Sequence, residues 1–143
     1  MVDLAVPLCS RCEREAMLHQ AYSGQNLCSR CLVRSIRKRI GKELRRQLTL
    51  PKGVNRPSTT ILAAVSGGKD SAILLEMLLH FLGKRPDVKI VAGCVDEGIA
   101  GYRKPSLECA KRQANELGVE FETLSFSEIG FEAMDDVVLK MPE

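Results

Sequence analysis

The sequence predicts an α/β fold in which a partial doubly wound parallel sheet follows a small four-cysteine ribbon and a basic helix. Short apolar runs alternate with helical patterns in the second part of the chain, which is typical of parallel strands joined by helices. Two Cys-x-x-Cys pairs stand near the N-terminus, and a strongly basic amphipathic stretch comes next. We therefore expect three domains: a ribbon at 1–33, a basic helix with a linker at 34–57, and an α/β part at 58–143 that looks truncated.

The first element is built around two cysteine pairs, Cys9 with Cys12 and Cys28 with Cys31, which fifteen residues separate. This is the spacing of zinc sites in which each pair presents two thiolates to one tetrahedral ion. About thirty residues cannot build a core of their own, so bound metal would supply the folding energy. Four thiolates leave no open position, and we therefore expect a structural zinc ribbon with His19 as a loop residue. Unliganded or disulfide-paired cysteines are the less favoured alternative.

The second element is a predicted amphipathic helix over residues 32–50, with Leu or Ile at every fourth position. Its other faces carry seven basic residues within thirteen positions, against the single acidic residue Glu43. Beside a zinc ribbon, such a face favours contact with a phosphate backbone, although a merely solvated face is equally compatible with it. The candidate contacts are Arg34, Arg37, Lys38 and Arg45. Residues 50–57 contain two prolines and a glycine, which predict a linker.

The third element begins with an apolar run that ends at Val65, a glycine-rich turn, and a helical run that ends at Gly83. Adjacent glycines before a helix N-terminus make an anion site. The Walker and dinucleotide-binding patterns both fail here. The turn Ser66-Gly67-Gly68-Lys69-Asp70-Ser71 matches instead the pyrophosphate loop, Ser-Gly-Gly-x-Asp-Ser, of enzymes that split ATP into AMP and pyrophosphate.

Two further strands are predicted at 88–95 and 119–125. Asp96 follows the first of them, at the carboxyl end where open α/β sheets place their ligands. Two more helices are expected, one from Ser106 to Leu117 and one from Ser127 onward.

The cysteine content and the length of the apolar runs indicate the cellular compartment of the protein. Six cysteines in a chain of cytosolic character favour metal binding or catalysis over disulfides. Cys94 and Cys109 are expected to be small buried hydrophobes rather than sulfur-carrying nucleophiles. No apolar run has transmembrane length, and Asp3 does not suit a signal peptide, so we expect a cytoplasmic protein without a membrane partner.

A second motif, Val95-Asp96-Glu97-Gly98-Ile99-Ala100-Gly101-Tyr102-Arg103, follows the pyrophosphate loop. Together with the four-cysteine ribbon, the basic connector and the loop, it resembles the tRNA 2-thiouridine synthetase family of the cytosolic thiolation protein 1 type. The stretch Met134-Asp135-Asp136-Val137-Val138 is similar to the segment just before that family's catalytic cysteines. The resemblance implies a HUP-like, pyrophosphate-loop fold.

The resemblance also implies a reaction. A tRNA uridine, expected to be the wobble uridine, would attack the α-phosphate of ATP through its C2 oxygen, and sulfur would then displace AMP. The family takes sulfur from a ubiquitin-like carrier or another donor, and some full-length members hold an iron–sulfur cluster. The implied partners are therefore tRNA and a sulfur donor, in a homodimer or hetero-oligomer.

Residue roles follow from the same resemblance. The N–H groups of Gly67, Gly68 and Ser71, with the Ser66 and Ser71 hydroxyls, would hold the β- and γ-phosphates of ATP. Asp70 would help hold Mg²⁺ or orient the loop, and Lys69 occupies the variable position. Val95 and Asp96 would face the adenosine, and Arg103 would meet tRNA or phosphate.

The family pattern continues beyond this sequence. We expect the catalytic cysteines to lie beyond Glu143, so no catalytic residue is assigned here and residues 1–143 are expected to be a fragment without thiolation activity of its own. With three strands of the family order 3-2-1-4-5, the first strand would have an unpaired edge, which favours marginal stability or self-association. Another pyrophosphate-loop enzyme, such as a lysidine or 2-thiocytidine synthetase, and a non-catalytic RNA-binding zinc module remain alternatives.

Overall fold

The computed structural model describes residues 6–53, 55, 57–101 and 103–141. Asp3, Val54, Arg56 and Tyr102 lie outside the described residues. The chain separates into two compact units, Met1–Thr49 and Leu50–Glu143. The division into three domains stays a prediction.

The N-terminal unit consists of a hairpin and one long helix. Strand β1 (Leu18–Gln20) pairs antiparallel with β2 (Gln25–Leu27), and Gly24 makes the turn with a positive φ of 63°. Helix α1 (Ser29–Gln47) follows directly. The hairpin is short, so it needs a further support to be stable in water.

Helix α1 begins and ends three residues earlier than the periodicity predicted. The helix takes in Cys31 because a helical turn puts residues three apart on one side, which brings the sulfurs of Cys28 and Cys31 together. At the other end, Leu48 is extended (ψ 115°), and Pro51 follows shortly after. A residue before proline avoids helical angles, which explains why the helix stops before residue 50.

The C-terminal unit is an α/β layer with a three-stranded parallel sheet, so the predicted fold class is confirmed. Its strands are β3 (Thr59–Ala64), β4 (Val88–Asp96) and β5 (Glu120–Ser125), in that spatial order. The helices are α2 (Lys69–Leu82), α3 (Arg103–Glu116) and α4 (Met134–Lys140), with one 3₁₀ turn at Ser127–Ile129. Ser127 therefore starts a 3₁₀ turn, and the last helix begins seven residues later than its predicted start.

Helix α3 begins at Arg103 rather than at Ser106. The predicted start was too late because Pro105 was assigned to the preceding loop. Proline is tolerated in the first turn of a helix, where its missing N–H removes no helical hydrogen bond. The Ser106 hydroxyl donates to the Arg103 carbonyl at 2.8 Å, a bond inside the first turn instead of a cap.

The core of this unit lies between the sheet and helices α2 and α3, which both contact β4. Successive right-handed crossovers place the two helices on the same face of the sheet. Leu75 and Ala92 are fully buried there, whereas Leu62 on β3 is 67% exposed. Strand β3 lies at an edge of the described sheet, as the predicted strand order requires.

None of the helices within the described ranges is both long and apolar enough to cross a lipid bilayer.

Two neighbouring leucines of α2 offer a matched test of this core. Leu75→Ala removes a fully buried side chain and should lower the free energy of unfolding by about 2–5 kcal/mol. Leu74→Ala, at a side chain that is 40% exposed, should cost less than about 1 kcal/mol. Urea denaturation followed by circular dichroism measures both, and equal losses would contradict the assigned core face of α2.

Candidate functional site

The structure brings the four predicted metal ligands together. The sulfur atoms of Cys9, Cys12, Cys28 and Cys31 all lie within 4.8 Å of one another, and Cys12 Sγ is 3.5 Å from both Cys28 Sγ and Cys31 Sγ. Zn–S bonds of about 2.3 Å in a tetrahedron place sulfurs about 3.8 Å apart. The four thiols therefore fit one tetrahedral ion with small adjustments.

Local backbone bonds hold the first cysteine pair in a tight turn. The Cys9 N–H donates to the Arg14 carbonyl at 2.7 Å, and the Glu13 N–H donates back to the Cys9 carbonyl at 3.1 Å. Glu13 has a positive φ of 59°. The Ser10 N–H donates to the Asn26 carbonyl at 2.8 Å, which ties this turn to β2. His19 does not belong to the cluster, but it lies in β1 and not in a loop as predicted, where its Nδ1 is 2.8 Å from Asn26 Oδ1.

Hydrogen bonding shifts the pKa values of three of the thiols in different directions. The Cys28 backbone N–H is the main cause that lowers the pKa of Cys9 to about 6. The Cys31 backbone N–H lowers the pKa of Cys28, while the hydrogen bond with Cys12 raises the pKa of Cys31 to about 12. The cluster thus keeps part of its protons near neutral pH, and a bound metal ion must displace them.

The predicted pyrophosphate loop lies between β3 and α2 and is held by its two serines. The Ser66 N–H donates to Ser71 Oγ at 3.2 Å, and the Ser71 hydroxyl donates to the Gly68 carbonyl at 3.0 Å. The Gly68 N–H has a long bond of 3.4 Å to Ser66 Oγ. Both hydroxyls therefore shape the loop, and a ligand would compete for the weak Gly68 contact.

Gly67 is fixed from outside the loop by helix α3. Its φ is +82°, and a Cβ at this position would clash with the Ser106 carbonyl oxygen. Gln113 Nε2 donates to the Gly67 carbonyl at 3.4 Å. Only glycine combines this left-handed angle with such a close backbone approach.

The N-terminus of α2 is open to a ligand. Gly68 occupies the N-cap without a side-chain cap hydrogen bond, so the first N–H groups of the helix have no partner inside it. The Lys69 and Asp70 side chains are 85% and 87% exposed and lie 3.3 Å apart. The positive end of the helix dipole, free N–H groups and an exposed carboxylate together suit a phosphate with a metal ion.

The second motif begins at the carboxyl end of β4, which lies beside the carboxyl end of β3 in the parallel sheet. Asp96 is half-buried there, and its Oδ1 accepts the Gly98 N–H at 3.0 Å. Val95 is 41% exposed. The structure thus places the loop and Asp96 on the same side of the sheet, where the carboxyl ends of the strands lie, as parallel pairing requires.

Arg103 has a different environment from the one predicted. It is only 8% exposed, its Nε lies 2.7 Å from Glu97 Oε2, and its Nη2 contacts the Val95 carbonyl and, at 3.1 Å, Cys94 Sγ. A guanidinium buried in this way supports the end of β4 and has little surface left for tRNA. This environment weighs against a direct phosphate contact, and a role of Arg103 toward tRNA stays a prediction.

Long-range contacts place residues in the site that local patterns did not single out. Asp135 Oδ2 accepts the Ala100 N–H at 2.7 Å, and the Met134 N–H donates to the Glu97 carbonyl at 2.8 Å. Helix α4 therefore holds the loop that follows β4. Gln113 was missed, and Asp135 was noted only within the 134–138 stretch, because no spacing rule links residues 46 and 35 positions apart.

The two remaining cysteines lie outside the metal cluster. Cys94 is buried, and Cys109 is half-buried beside Gln113 Nε2 at 3.5 Å. Neither contacts a second thiol within the described part of the chain, and their expected packing role stays a prediction.

The predicted basic contacts lie along α1. Arg34, Lys38 and Arg45 are exposed, and Arg37 is half-buried. Arg34 and Arg37, together with Arg30, line a concavity with a volume of about 560 Å³.

Comparison with known proteins agrees with these features. Residues 8–33 match the family model described as the 2-thiouridine synthetase TtuA N-terminal LIM domain. The chain is 36% identical over 137 residues to the tRNA 2-thiolation protein NcsA of Haloferax volcanii, which covers 94% of this chain and 42% of that protein. The chain is thus similar to part of a protein named for tRNA 2-thiolation, and its cysteine ribbon matches a family model named for a 2-thiouridine synthetase. The resemblance drawn from the motifs is thus confirmed.

Two further relatives extend the comparison. The cytoplasmic tRNA 2-thiolation protein 1 of Anopheles gambiae is 29% identical over 140 residues, or 96% of this chain and 39% of that protein. A solved structure, the U34-tRNA thiolase NcsA from Methanococcus maripaludis with its [4Fe-4S] cluster, superposes with a TM-score of 0.75 at 28% identity. The match covers 94% of this chain and 44% of that one. The chain therefore spans less than half the length of these thiolation proteins.

The packing of Gly67 against α3 predicts unequal effects of alanine at the two adjacent glycines. Gly67→Ala should destabilise the chain by about 1–3 kcal/mol, because it combines a clash with a left-handed φ. Gly68 has a φ of −83°, and a Cβ there would meet only Ser66 Oγ at 3.4 Å. Gly68→Ala should therefore lower the free energy of unfolding by less than about 1 kcal/mol. Urea midpoints compare the two variants, and a larger loss for Gly68→Ala would refute this packing.

The cysteine cluster predicts a metal-dependent N-terminal unit. Cys28→Ser should abolish stoichiometric binding of Zn²⁺ and remove the protection of the β1 and β2 amides, because the short hairpin lacks another support. Cys109→Ser, outside the cluster, should change neither property. Metal analysis and hydrogen exchange measure the two effects, and a zinc-replete Cys28→Ser chain would contradict the assignment.

Proposed function

We propose that this chain is the metal-stabilised, ATP-binding portion of a tRNA sulfurtransferase. In the proposed reaction, ATP adenylates the C2 oxygen of a tRNA uridine and releases pyrophosphate, and sulfur then replaces AMP to give 2-thiouridine. The observation that carries the proposal is the pyrophosphate loop, with Gly67 packed on α3 and the N-terminus of α2 left open. The relationship to tRNA thiolation proteins supports the choice of substrate.

Each part of the loop has a physical role in holding ATP. The β- and γ-phosphates would accept hydrogen bonds from the N–H groups of Gly67, Gly68 and Ser71, at the positive end of α2. The Ser66 and Ser71 hydroxyls would exchange their mutual contact, now 3.3 Å, for phosphate oxygens. Pyrophosphate is then the leaving group, and the same N–H groups stabilise the charge that develops on it.

The exposed Asp70 carboxylate suits a Mg²⁺ ion that bridges phosphate oxygens. Lys69, equally exposed, would neutralise part of the phosphate charge. Asp96 and the backbone at Val95, at the neighbouring strand end, would face the adenosine.

We assign zinc to the four-cysteine cluster, because four sulfurs at these separations favour a closed tetrahedral site without catalytic ligands. Its role would be to hold the hairpin against the first turn of α1. The basic residues of α1, including Arg34, Arg37, Lys38 and Arg45, would contact the tRNA backbone.

The remaining proposals concern the whole protein. They are a wobble uridine as the modified base, a ubiquitin-like carrier or other sulfur donor as partner, a homodimer or hetero-oligomer, and a cytoplasmic location. An iron–sulfur cluster, such as the one named for the Methanococcus maripaludis thiolase, would belong to a longer protein.

Binding of ATP in the presence of Mg²⁺ tests the role of the loop. Asp70→Ala should weaken MgATP binding about tenfold or more, equivalent to about 1.4 kcal/mol, because it removes a carboxylate from the metal ion. The control is Glu76→Ala, which removes an exposed acidic side chain from the same helix and should leave the affinity unchanged.

Isothermal titration calorimetry with and without Mg²⁺ completes the test. Without Mg²⁺ the effect of Asp70→Ala should shrink or reverse, because the carboxylate then only repels phosphate. A chain that binds tRNA but no ATP at millimolar concentration would refute the enzyme assignment and favour a non-catalytic RNA-binding module.

A further inference from the structure

A small basic cleft lies on the N-terminal unit, next to the cysteine cluster. It has a volume of about 150 Å³ and is lined by Arg11, Arg14, Arg30 and Arg34 together with Cys12 and Cys31. Two of the arginines come from the turn of the first cysteine pair, and two come from successive turns of α1. The cleft therefore lies where this turn meets the helix, at the place where the cysteine cluster joins the two.

The arginines of the cleft have no acidic partners among the residues that the structure describes. Among the described residues, Arg14, Arg30 and Arg34 make no ion pair, and Arg11 donates to the neutral Gln25 Oε1 at 2.9 and 3.2 Å. The nearby acidic residues Glu13 and Glu15 do not line the cleft.

The charge of the metal centre does not balance these cations. One Zn²⁺ with four thiolates carries about −2, whereas four guanidinium groups carry about +4. A surplus of about two positive charges remains, and it favours an anion in the cleft.

The basic surface continues along α1 beyond the cleft. The adjoining concavity of about 560 Å³ shares Arg30 and Arg34 and adds Arg37. Within the described part of the chain, the Nε atom of Arg37 is buried and has no hydrogen-bond partner. Residues 30, 34 and 37 share one helix face and span about 10 Å, which suits consecutive phosphates of one strand better than a single small anion.

We propose that the cleft of Arg11, Arg14, Arg30 and Arg34 binds a backbone phosphate of tRNA and that the adjoining concavity receives the next one. The cysteine cluster then builds an RNA-docking surface, in addition to stabilising the hairpin. This inference rests on the proposed function, because it takes tRNA as the ligand. It adds Arg11, Arg14 and Arg30 to the tRNA contacts assigned to α1.

The test is tRNA binding by the zinc-loaded chain of 143 residues over a range of salt concentrations. Arg14→Gln combined with Arg30→Gln should weaken binding of a tRNA transcript about five- to tenfold at about 0.1 M salt, and the slope of log K against log salt should fall by about one. Lys52→Gln with Lys84→Gln removes the same charge from exposed positions elsewhere and should change affinity less than about twofold.

The outcomes separate this inference from the proposed function. If the unaltered chain does not bind tRNA, both fail. If it binds and the double arginine variant binds equally well, the phosphate cleft is refuted while the proposed function stands. Displacement of tRNA by inorganic phosphate beyond the effect of matched ionic strength would indicate a free-anion site and overturn the proposal.

The zinc content of the variants shows whether the arginines bind tRNA or only neutralise the charge of the thiolates. The double glutamine variant should keep one zinc per chain; loss of zinc would mean that the arginines serve only the thiolates and would overturn the proposal. Arg14→Lys with Arg30→Lys keeps the charge, so it should retain the salt slope and lose at most about threefold in affinity. A lysine variant as weak as the glutamine variant would count against a phosphate site.

Discussion

The close backbone approach of Gly67 to Ser106 positions the pyrophosphate loop in the α/β unit. No side chain fits between them, so the loop packs directly against the backbone of α3. Gln113 strengthens this link through the Gly67 carbonyl. Helix α3 also carries Arg103, which supports the carboxyl end of β4. One helix thus connects the two motifs that the proposed reaction would use, the glycine-rich loop and the strand end beside it.

The N-terminal unit depends on a different kind of constraint. Its buried apolar residues are few: Leu27 is fully buried, and Cys9, Cys28 and Cys31 supply most of the remaining core with Leu32 packed against them. Such a core is too small to offset the entropy of ordering the turn and the hairpin. Metal–thiolate bonds can supply the missing free energy. The same bonds would bring the arginines of the first turn to those of α1, so stability and the proposed RNA contact share one cause.

The segment after β4 illustrates how side-chain burial changes the meaning of a charged residue. Glu97 and Arg103 form an ion pair that is mostly withdrawn from water, and Asp135 holds the Ala100 N–H from helix α4. Gly98 lets this segment pass close to Ala133, where a Cβ would approach within 2.6 Å. Arg103, whose charge alone suggests ligand binding, is thus paired inside the protein, and these contacts shape the loop beside the proposed adenosine site.

By itself the sequence determined the parallel α/β class, the four metal ligands and the position of the pyrophosphate loop, because each follows from local spacing: apolar periodicity, paired Cys-x-x-Cys turns, and glycines between a strand and a helix. The limits of α1 and α3 were predicted wrongly from the sequence. A cysteine near the start of α1 and a proline in the first turn of α3 are part of the helices although the apolar periodicity and turn signals indicated later starts. Only the tertiary structure decided that Arg103 is buried, that Gln113 and Asp135 support the site, and that four arginines line one cleft. These features depend on contacts between residues far apart in the chain, which no local period encodes.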